Sequence, residues 1–401
     1  MTSCAIRPRP GQTSRSWTLT IGEAIFDRLT VGLTLEDNTR VETLLDSLKS
    51  LYRMEILEYD ASGKHLDDTV YYVRFAGELR EILGDKGDAF LLKLLHDINH
   101  AAQELSAGGQ DPKQAFESIL STGRTLKQTT GRGFYADVQK IAVAPDTTLF
   151  CFQMPCGGNI YMFDARGEKV LIDTGYGIYQ RDVRQMLQKY LPGNTPISRI
   201  YVTHADTDHA GALGHYGCPA YMHPGTRDII KKNNRAYLSK TEKNVLEEIY
   251  TKLINLFSEN TEPGKPILFK DKKTGLRGIF PLIDRFVIGV LSFCVLESLG
   301  GHMHAQTFFL CEEHKLLFTG DSLMPFESLT DERKKYNLHA KNLMTTVNVD
   351  SKAAGTERKA LLDHASGIEG CVICPGHGAL SKMKNGKLET YGTIERYAPG
   401  V

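Results

Sequence analysis

Two histidines and two aspartates share a six-residue segment in the middle of the chain. They are His204, Asp206, Asp208 and His209, and they directly follow a run rich in β-branched residues (RIYVT). Imidazole and carboxylate groups are typical ligands of zinc, iron and manganese ions. Burying four such groups without a cation is unfavourable, because unpaired buried carboxylates lose their hydration. The segment therefore predicts a metal site rather than a solvated polar turn.

Three further potential ligands each come just after an apolar, strand-like run. His302 lies in LGGHMH, Asp321 in LFTGDS and His377 in CPGHG. A sheet holds residues at its strand ends rigidly, while the loops that follow open a cleft. We therefore expect these residues to converge with the first four on one site.

The elements that must position these residues begin at about residue 138. Apolar strands are predicted at 148–152, 159–164, 169–173, 199–203, 220–223, 285–298, 307–310, 315–319 and 370–374. Helices are predicted between them at 180–191, 225–232, 241–258 and 356–365. Strands that alternate with helices favour an α/β domain.

In this order, the motifs resemble those of the metallo-β-lactamase superfamily. Residues 169–175 (KVLIDTG) resemble its strand with a terminal Asp-Thr-Gly, and residues 204–209 resemble its HxHxDH motif. His302, Asp321 and His377 resemble its later ligands, so the match covers about residues 138–391. The resemblance implies a four-layer αββα sandwich over residues 138–401 and a hydrolase with a dinuclear metal site.

The resemblance also implies a role for each residue. The first metal would be held by His204, Asp206 and His302, the second by Asp208, His209 and His377, and Asp321 would bridge them. Asp173 would support the site through hydrogen bonds rather than by ligation. Asp208 would also be catalytic, because it would orient the attacking water and take its proton. The expected cofactors are two divalent ions, zinc first and iron or manganese as alternatives.

One residue departs from the family pattern, because Asp206 stands where the superfamily usually has its second histidine. A carboxylate ligand shifts the preference of a site towards iron or manganese, yet zinc also accepts carboxylates. The identity of the metal therefore stays open, as does whether the first metal site is occupied. Flavodiiron proteins carry a carboxylate there too. No flavodoxin-like domain follows in this sequence, so reduction of oxygen or nitric oxide is not expected.

Three classes of function are consistent with these residues. The first is a hydrolase of a small ester, thioester, lactone or phosphodiester. The second is an iron-dependent redox enzyme of the same fold, acting in oxygen or sulfur chemistry. The third is a ligand-sensing protein whose metal domain is vestigial, which the competent residue at every ligand position disfavours.

The composition limits the classes of partner that the protein is expected to bind. Lys plus Arg and Asp plus Glu number 48 each, and binding to a phosphate backbone requires a basic excess, so no nucleic acid is expected. The first residues, MTSCAIRPRPGQTSRS, contain no apolar run, and the run at 286–296 is too short to cross a bilayer. We expect a cytoplasmic protein with a small-molecule substrate and no membrane association.

Residues 17–137 differ in pattern from the rest. Strands at 26–35, 54–59 and 69–75 and helices at 38–52, 78–83, 89–105 and 110–130 suggest a small α+β domain of ferredoxin-like kind. Its arrangement is similar to that of ACT-type regulatory modules. It is predicted to regulate the protein or to form a homodimer, and residues 1–16 are predicted to be a disordered lead.

Other residues near the motifs have less specific interpretations. His223 and His304 are candidates for substrate contact, with supporting or surface roles as the alternatives. Cys156 is a candidate nucleophile without a recognisable partner, and the other cysteines, including the CxxC pair Cys371 and Cys374, are expected to be reduced and packed. A lysine-rich helical insertion at about 227–278 is expected to cover the cleft.

Overall fold

The computed structural model describes residues 41–51, 75, 77–84, 98, 100–191, 195–270, 272–344 and 346–400. The chain divides into two compact units, residues 1–77 and 78–401. In the first unit, helix α1 spans Val41–Leu51, within the helix predicted at 38–52. The strands predicted at 26–35 and 54–59 lie outside the described residues, as does the lead 1–16. Of the strand predicted at 69–75 only Phe75 is described, and it is helical, so the ferredoxin-like domain stays a prediction.

The second unit contains two eight-stranded mixed sheets. The first sheet has the order β16-β1-β2-β3-β4-β5-β6-β7. Its strands are β1 Ala136–Ala144, β2 Thr147–Gln153, β3 Asn159–Ala165, β4 Glu168–Ile172, β5 Ile197–Tyr201, β6 Ala220–Met222, β7 Pro266–Leu268 and β16 Glu395–Tyr397. Pairing is antiparallel from β16 to β4 and parallel from β4 to β7.

The second sheet has the order β15-β14-β13-β12-β11-β10-β9-β8. Its strands are β8 Gly275–Arg277, β9 Phe280–Ile288, β10 Leu291–Glu297, β11 Thr307–Cys311, β12 Leu316–Gly320, β13 Val372–Pro375, β14 Ser381–Lys384 and β15 Lys387–Thr390. All neighbours are antiparallel except β12 and β13, which run parallel.

Helices connect these strands and cover the sheets. They are α2 Pro112–Gln128, α3 Gln180–Tyr190, α4 Thr207–Ala210, α5 Pro224–Lys232, α6 Val245–Phe257, α7 Asp331–Leu338, α8 Ala340–Leu343 and α9 Ser351–Ser366. Short 3-10 turns occupy Gly131–Gly133, Gly177–Tyr179, Leu213–His215 and Phe326–Ser328. Within the described part of the chain, no helix has the length and apolar character that a bilayer crossing requires.

Aromatic side chains from both sheets fill the space between them. Phe163 of the first sheet packs edge-on against Phe293 of the second, with ring centroids 5.8 Å apart. On the outer face of the first sheet, Tyr190 of α3 contacts Phe152. On the outer face of the second, Leu361 of α9 joins the apolar cluster of that sheet. This helix–sheet–sheet–helix arrangement is the sandwich that the sequence motifs predicted.

Helix α2, which the sequence analysis placed in the N-terminal block, packs within the second unit. Its Ser118 Oγ accepts a hydrogen bond from Asn342 Nδ2 at 2.7 Å. A Cβ at Gly123 would lie 2.9 Å from the ring of Phe257, so α2 and α6 approach closely at this glycine. The helix buries an apolar face that includes Phe116 and Ile119.

Candidate metal centre

The residues that form the centre follow the carboxyl ends of neighbouring strands. Asp173 comes after β4, and the segment from His204 follows β5, which runs parallel to β4. Asp321 follows β12 and His377 follows β13, which is likewise parallel to its neighbour. Parallel strands end at the same edge of a sheet, so these side chains meet in one cleft.

The first cluster consists of His204, Asp206, His302 and Asp321, whose ligand atoms all lie within 4.8 Å of one another. His302 Nε2 is 3.0 Å from Asp206 Oδ2. His204 Nε2 is 3.9 Å from Asp206 Oδ2 and 3.9 Å from Asp321 Oδ2. These separations suit several ligands of a single ion.

The second cluster consists of Asp208, His209 and His377. His377 Nε2 is 3.0 Å from Asp208 Oδ2, and His209 Nε2 is 3.7 Å from the same oxygen. Asp321 faces this cluster as well, because its Oδ2 is 3.4 Å from His377 Nε2 and its Oδ1 is 3.2 Å from His209 Nε2. One carboxylate thus contacts both clusters, and the structure brings together every ligand that the sequence analysis named.

The protonation of His204 fits a metal ligand. Thr203 Oγ1 donates a hydrogen bond to Asp173 Oδ2 at 2.7 Å and therefore accepts one from His204 Nδ1 at 2.9 Å. Burial lowers the pKa of His204 to about 4, so the ring is neutral at pH 7. Its Nε2 is buried and has no hydrogen-bond partner among the described residues. A lone pair with no donor, facing two carboxylates, fits a divalent cation.

His209 and His377 lie where positive charge is stabilised. Burial lowers the pKa of His209, but the carboxylates of Asp321 and Asp208 outweigh burial and raise it well above its usual value. The same balance, with Asp321 as the main carboxylate, raises the pKa of His377 to about 9. The carboxylates therefore attract cations, and metal ions would take the place of these protons.

Asp173 holds the segment that carries the first ligands. Its Oδ1 accepts from the Thr203 backbone N–H at 2.8 Å, and its Oδ2 lies 3.0 Å from His209 Nδ1. A carboxylate only accepts, so Nδ1 of His209 carries a hydrogen and Nε2 faces the cluster. Asp173 is 2 % exposed and is placed to orient both His204 and His209.

Close backbone approach requires glycine beside the shared carboxylate. A Cβ at position 376 would lie 1.9 Å from Asp321 Oδ1 and 2.8 Å from the carbonyl carbon of Gly320. Gly376 N–H donates to Gly320 O at 2.7 Å, which joins the loops that carry His377 and Asp321. A larger residue at 376 would displace the carboxylate.

Sequence reasoning missed Arg235, which binds Asp206. Arg235 Nε donates to Asp206 Oδ1 at 3.2 Å and Nη2 donates to Oδ2 at 3.1 Å. Burial would raise the pKa of Asp206, but Arg235 and then His302 outweigh it and hold that pKa far below its usual range. The available signal was Asp206 itself, because an extra buried carboxylate needs a cationic partner.

Sequence reasoning also missed Glu357, a fully buried residue of α9. Its Oε1 accepts from the backbone N–H of Gly301 at 3.2 Å, next to His302. Its Oε2 accepts from Ser322 Oγ at 2.8 Å, next to Asp321. One carboxylate thereby joins two ligand loops, and no local pattern marks it because it lies within an ordinary helix.

The clusters open into a cleft of about 270 Å³. Apolar side chains form much of its wall: Ile229, Ile230, Ile254, Met324, Phe326, Ala340 and Met344. Helices α5 and α6 of the predicted insertion contribute to this wall, as does α8. Burial and the carboxylate of Asp206 raise the pKa of Tyr250, which also lines the cleft and stays a hydrogen-bond donor.

The candidates for substrate contact and for a nucleophile lie apart from this wall. His223 is 5 % exposed, accepts from Gly225 N–H at 3.0 Å and caps α5, and neither it nor His304 is among the cleft residues. Cys156 is buried with its Sγ 3.0 Å from Tyr179 Oη. Cys371 and Cys374 are buried free thiols, in line with the predicted packing role.

The sequence profile of the metallo-beta-lactamase superfamily matches residues 154–377. The chain belongs to this superfamily, which confirms the resemblance seen in the motifs. No curated protein sequence matches the chain.

Solved structures with similarity include a metallo-beta-lactamase from Pontibacter korlensis, at 18% identity, covering 61% of this chain and 92% of that one, with a TM-score of 0.37. A beta-lactamase domain protein from Burkholderia ambifaria is 16% identical and covers 60% of this chain and 71% of that one, with a TM-score of 0.38. The hydrolase AbOPH is 14% identical, and the match covers 65% of this chain and 98% of that one, with a TM-score of 0.40.

Proposed function

We propose that this protein is a metal-dependent hydrolase of a small ester, thioester, lactone or phosphodiester. The observation that supports it best is the pair of clusters that share Asp321, because a carboxylate facing both sides suits a two-ion site. His204, Asp206 and His302 would hold the first ion, and Asp208, His209 and His377 would hold the second. The donor set accepts zinc, iron or manganese.

When bound, a pair of divalent ions lowers the pKa of water towards neutrality and polarises a carbonyl or phosphoryl group. The protein's own residues position the reactants. Asp208 would orient the attacking water and accept its proton, then release that proton to the leaving group. Apolar residues such as Ile254 and Met344 would exclude bulk water from the cleft and bind the apolar part of a substrate.

The proposal is tested with purified protein, elemental analysis and a panel of chromogenic esters, thioesters, lactones and phosphodiesters. We expect about two metal equivalents per chain and hydrolysis of at least one class. Asp208→Ala should abolish that activity without unfolding the protein, whereas Asp363→Ala on the exposed face of α9 should leave it unchanged. Full activity in Asp208→Ala, or a protein that takes up no metal, would overturn the proposal.

A further inference from the structure

The two oxygens of Asp206 have different surroundings. Oδ1 accepts from Arg235 Nε at 3.2 Å. Oδ2 accepts from Arg235 Nη2 at 3.1 Å and also faces His302 Nε2 at 3.0 Å and His204 Nε2 at 3.9 Å. The planar guanidinium thus binds both oxygens at once, which fixes the rotation of the carboxylate. Only Oδ2 is left facing the other ligands of the first cluster.

The guanidinium nitrogens of Arg235 all donate hydrogen bonds to acceptors within the protein. Its side chain is 3 % exposed, Nη1 donates to Glu247 Oε2 at 3.1 Å and Nη2 donates to the backbone carbonyl of Val347 at 2.9 Å. Each of its three guanidinium nitrogens therefore has an acceptor. The arginine acts on Asp206 rather than on a substrate.

The charge of Arg235 is balanced on its far side. The Glu247 side chain is 6 % exposed, so its carboxylate is desolvated and remains close to the guanidinium. The Arg235–Glu247 pair adds no net charge beside the cluster, and the negative charge of Asp206 stays available to a cation. The main effect of Arg235 on metal binding is then orientation rather than repulsion.

We infer that Arg235 is a positioning residue for the first metal position, where it holds Asp206 so that Oδ2 alone ligates. Arg235 lies between α5 and α6 and Glu247 lies in α6, so the helical insertion completes the first site in addition to lining the cleft. This inference rests on the proposed metal centre. It explains why an aspartate can replace the usual histidine of the motif.

The decisive experiment measures zinc affinity by competition with a chromophoric chelator. It is done in two parent variants, each of which keeps only one of the two metal sites intact. His377→Ala leaves the first cluster intact, and His302→Ala leaves the second. The tested change is Arg235→Met with Glu247→Met, which removes the guanidinium from Asp206 without leaving the buried Glu247 carboxylate unpaired. Loss of such an outer partner typically weakens metal binding about 10–100-fold, and we expect that loss in the His377→Ala background only.

Two controls separate orientation from charge and from general damage. Arg235→Lys keeps the charge but cannot bind both oxygens in a fork, so it should weaken zinc at the first position by about 10-fold. Removal of the Arg199–Glu168 pair, which joins β5 to β4, should leave both affinities unchanged. Circular dichroism and melting temperature verify that each variant folds.

The inference is overturned if the double change leaves the first-position affinity within twofold of its parent, or if it weakens both positions equally. Wild-type affinity in Arg235→Lys would overturn the orientation argument as well. None of these outcomes affects the proposed function, which fails if the unmodified protein binds no metal or hydrolyses nothing, or if Asp208→Ala keeps full activity.

Discussion

Asp173 has a left-handed backbone conformation, with φ of 61°, immediately after β4. Its carboxylate accepts from the backbone and side chain of Thr203 and lies against His209, so one buried acid orients ligands of both clusters. At the residue scale, the centre therefore depends on acceptors that do not touch the metals.

Replacing Asp173 tests this dependence. In Asp173→Ala, His209 Nδ1 and Thr203 lose their acceptor, so we expect metal affinity to fall about 10–100-fold. Unfolding free energy should fall by about 1–3 kcal/mol, because buried donors are left unsatisfied. Elemental analysis after dialysis measures the first effect and urea unfolding the second. Asp173→Asn keeps one acceptor oxygen, so its metal affinity and unfolding free energy should lie between those of the unmodified protein and Asp173→Ala. Unchanged metal content in Asp173→Ala would contradict the role of Asp173 in orienting the ligands.

Gly376 offers a steric test of the shared carboxylate. In Gly376→Ala, the new Cβ would overlap Asp321 Oδ1, so the carboxylate must move away from both clusters. We expect both metals to bind more weakly and stability to fall by about 1–3 kcal/mol. Gly264→Ala is the matched control, since its Cβ would meet nothing within 4 Å. Normal metal content in Gly376→Ala would show that Asp321 tolerates displacement.

Cys156, the candidate nucleophile of the sequence, should be chemically inert. Burial raises the pKa of its thiol to about 12, so only about one molecule in ten thousand is a thiolate at pH 8. After brief treatment of native protein with iodoacetamide at pH 8, mass spectrometry should find Cys156 unmodified and activity retained. The less buried Cys218 serves as the reference thiol. Rapid alkylation of Cys156 with loss of activity would restore it as a nucleophile.

At the scale of elements, four helices surround the metal loops. Helices α5 and α6 supply the apolar wall and the Arg235–Glu247 pair, while α8 and α9 form another side of the cleft. This second side carries Lys341 and Arg358, which are exposed and have no ion pair with another described residue. The cleft acids near them are all predicted metal ligands, so these cations are available to an anionic substrate group.

This distribution predicts a charge preference. Lys341→Ala with Arg358→Ala should raise KM for 4-nitrophenyl esters with a terminal carboxylate about 5–10-fold, because exposed cations contribute modestly. KM for neutral esters of equal length should stay the same. The effect should also shrink as salt is raised, since exposed charges are screened. Equal changes for both ester classes would mean that the cations do not select charge.

At the scale of the whole molecule, the metals should stabilise the sandwich. The centre joins loops from both sheets, and without cations its carboxylates and protonated histidines remain buried together. Ligands that bind the folded state at about a thousand times Kd add about 4 kcal/mol. Chelation with EDTA should therefore lower Tm by about 5–15 °C.

The control for this prediction is the variant Asp208→Ala/His377→Ala, which lacks two ligands of the second cluster. Its Tm should respond less to EDTA, through the first cluster alone, and zinc added back should raise the Tm of the unmodified protein by more than that of the variant. A native Tm that is indifferent to chelation would show that the centre contributes nothing to folding.

Much of the sandwich could be predicted from the sequence, because its signals are local. A buried strand and the ligand after it are contiguous, so the runs before His204, Asp321 and His377 predicted both the strands and the edge at which these residues meet. The assignment of α2 was harder, since its apolar face indicates burial but does not indicate which unit covers it.

The amino-acid sequence by itself determined the family and named the residues of the candidate centre, since type and spacing record them along one stretch of chain. Only the tertiary structure decided which groups hold those residues in place. Arg235 lies 29 positions from Asp206 and Glu357 lies 56 from Gly301, and neither has a distinctive neighbourhood in the chain. Hydrogen bonds and ion pairs depend on distances of about 3 Å in space, and only folding creates those distances.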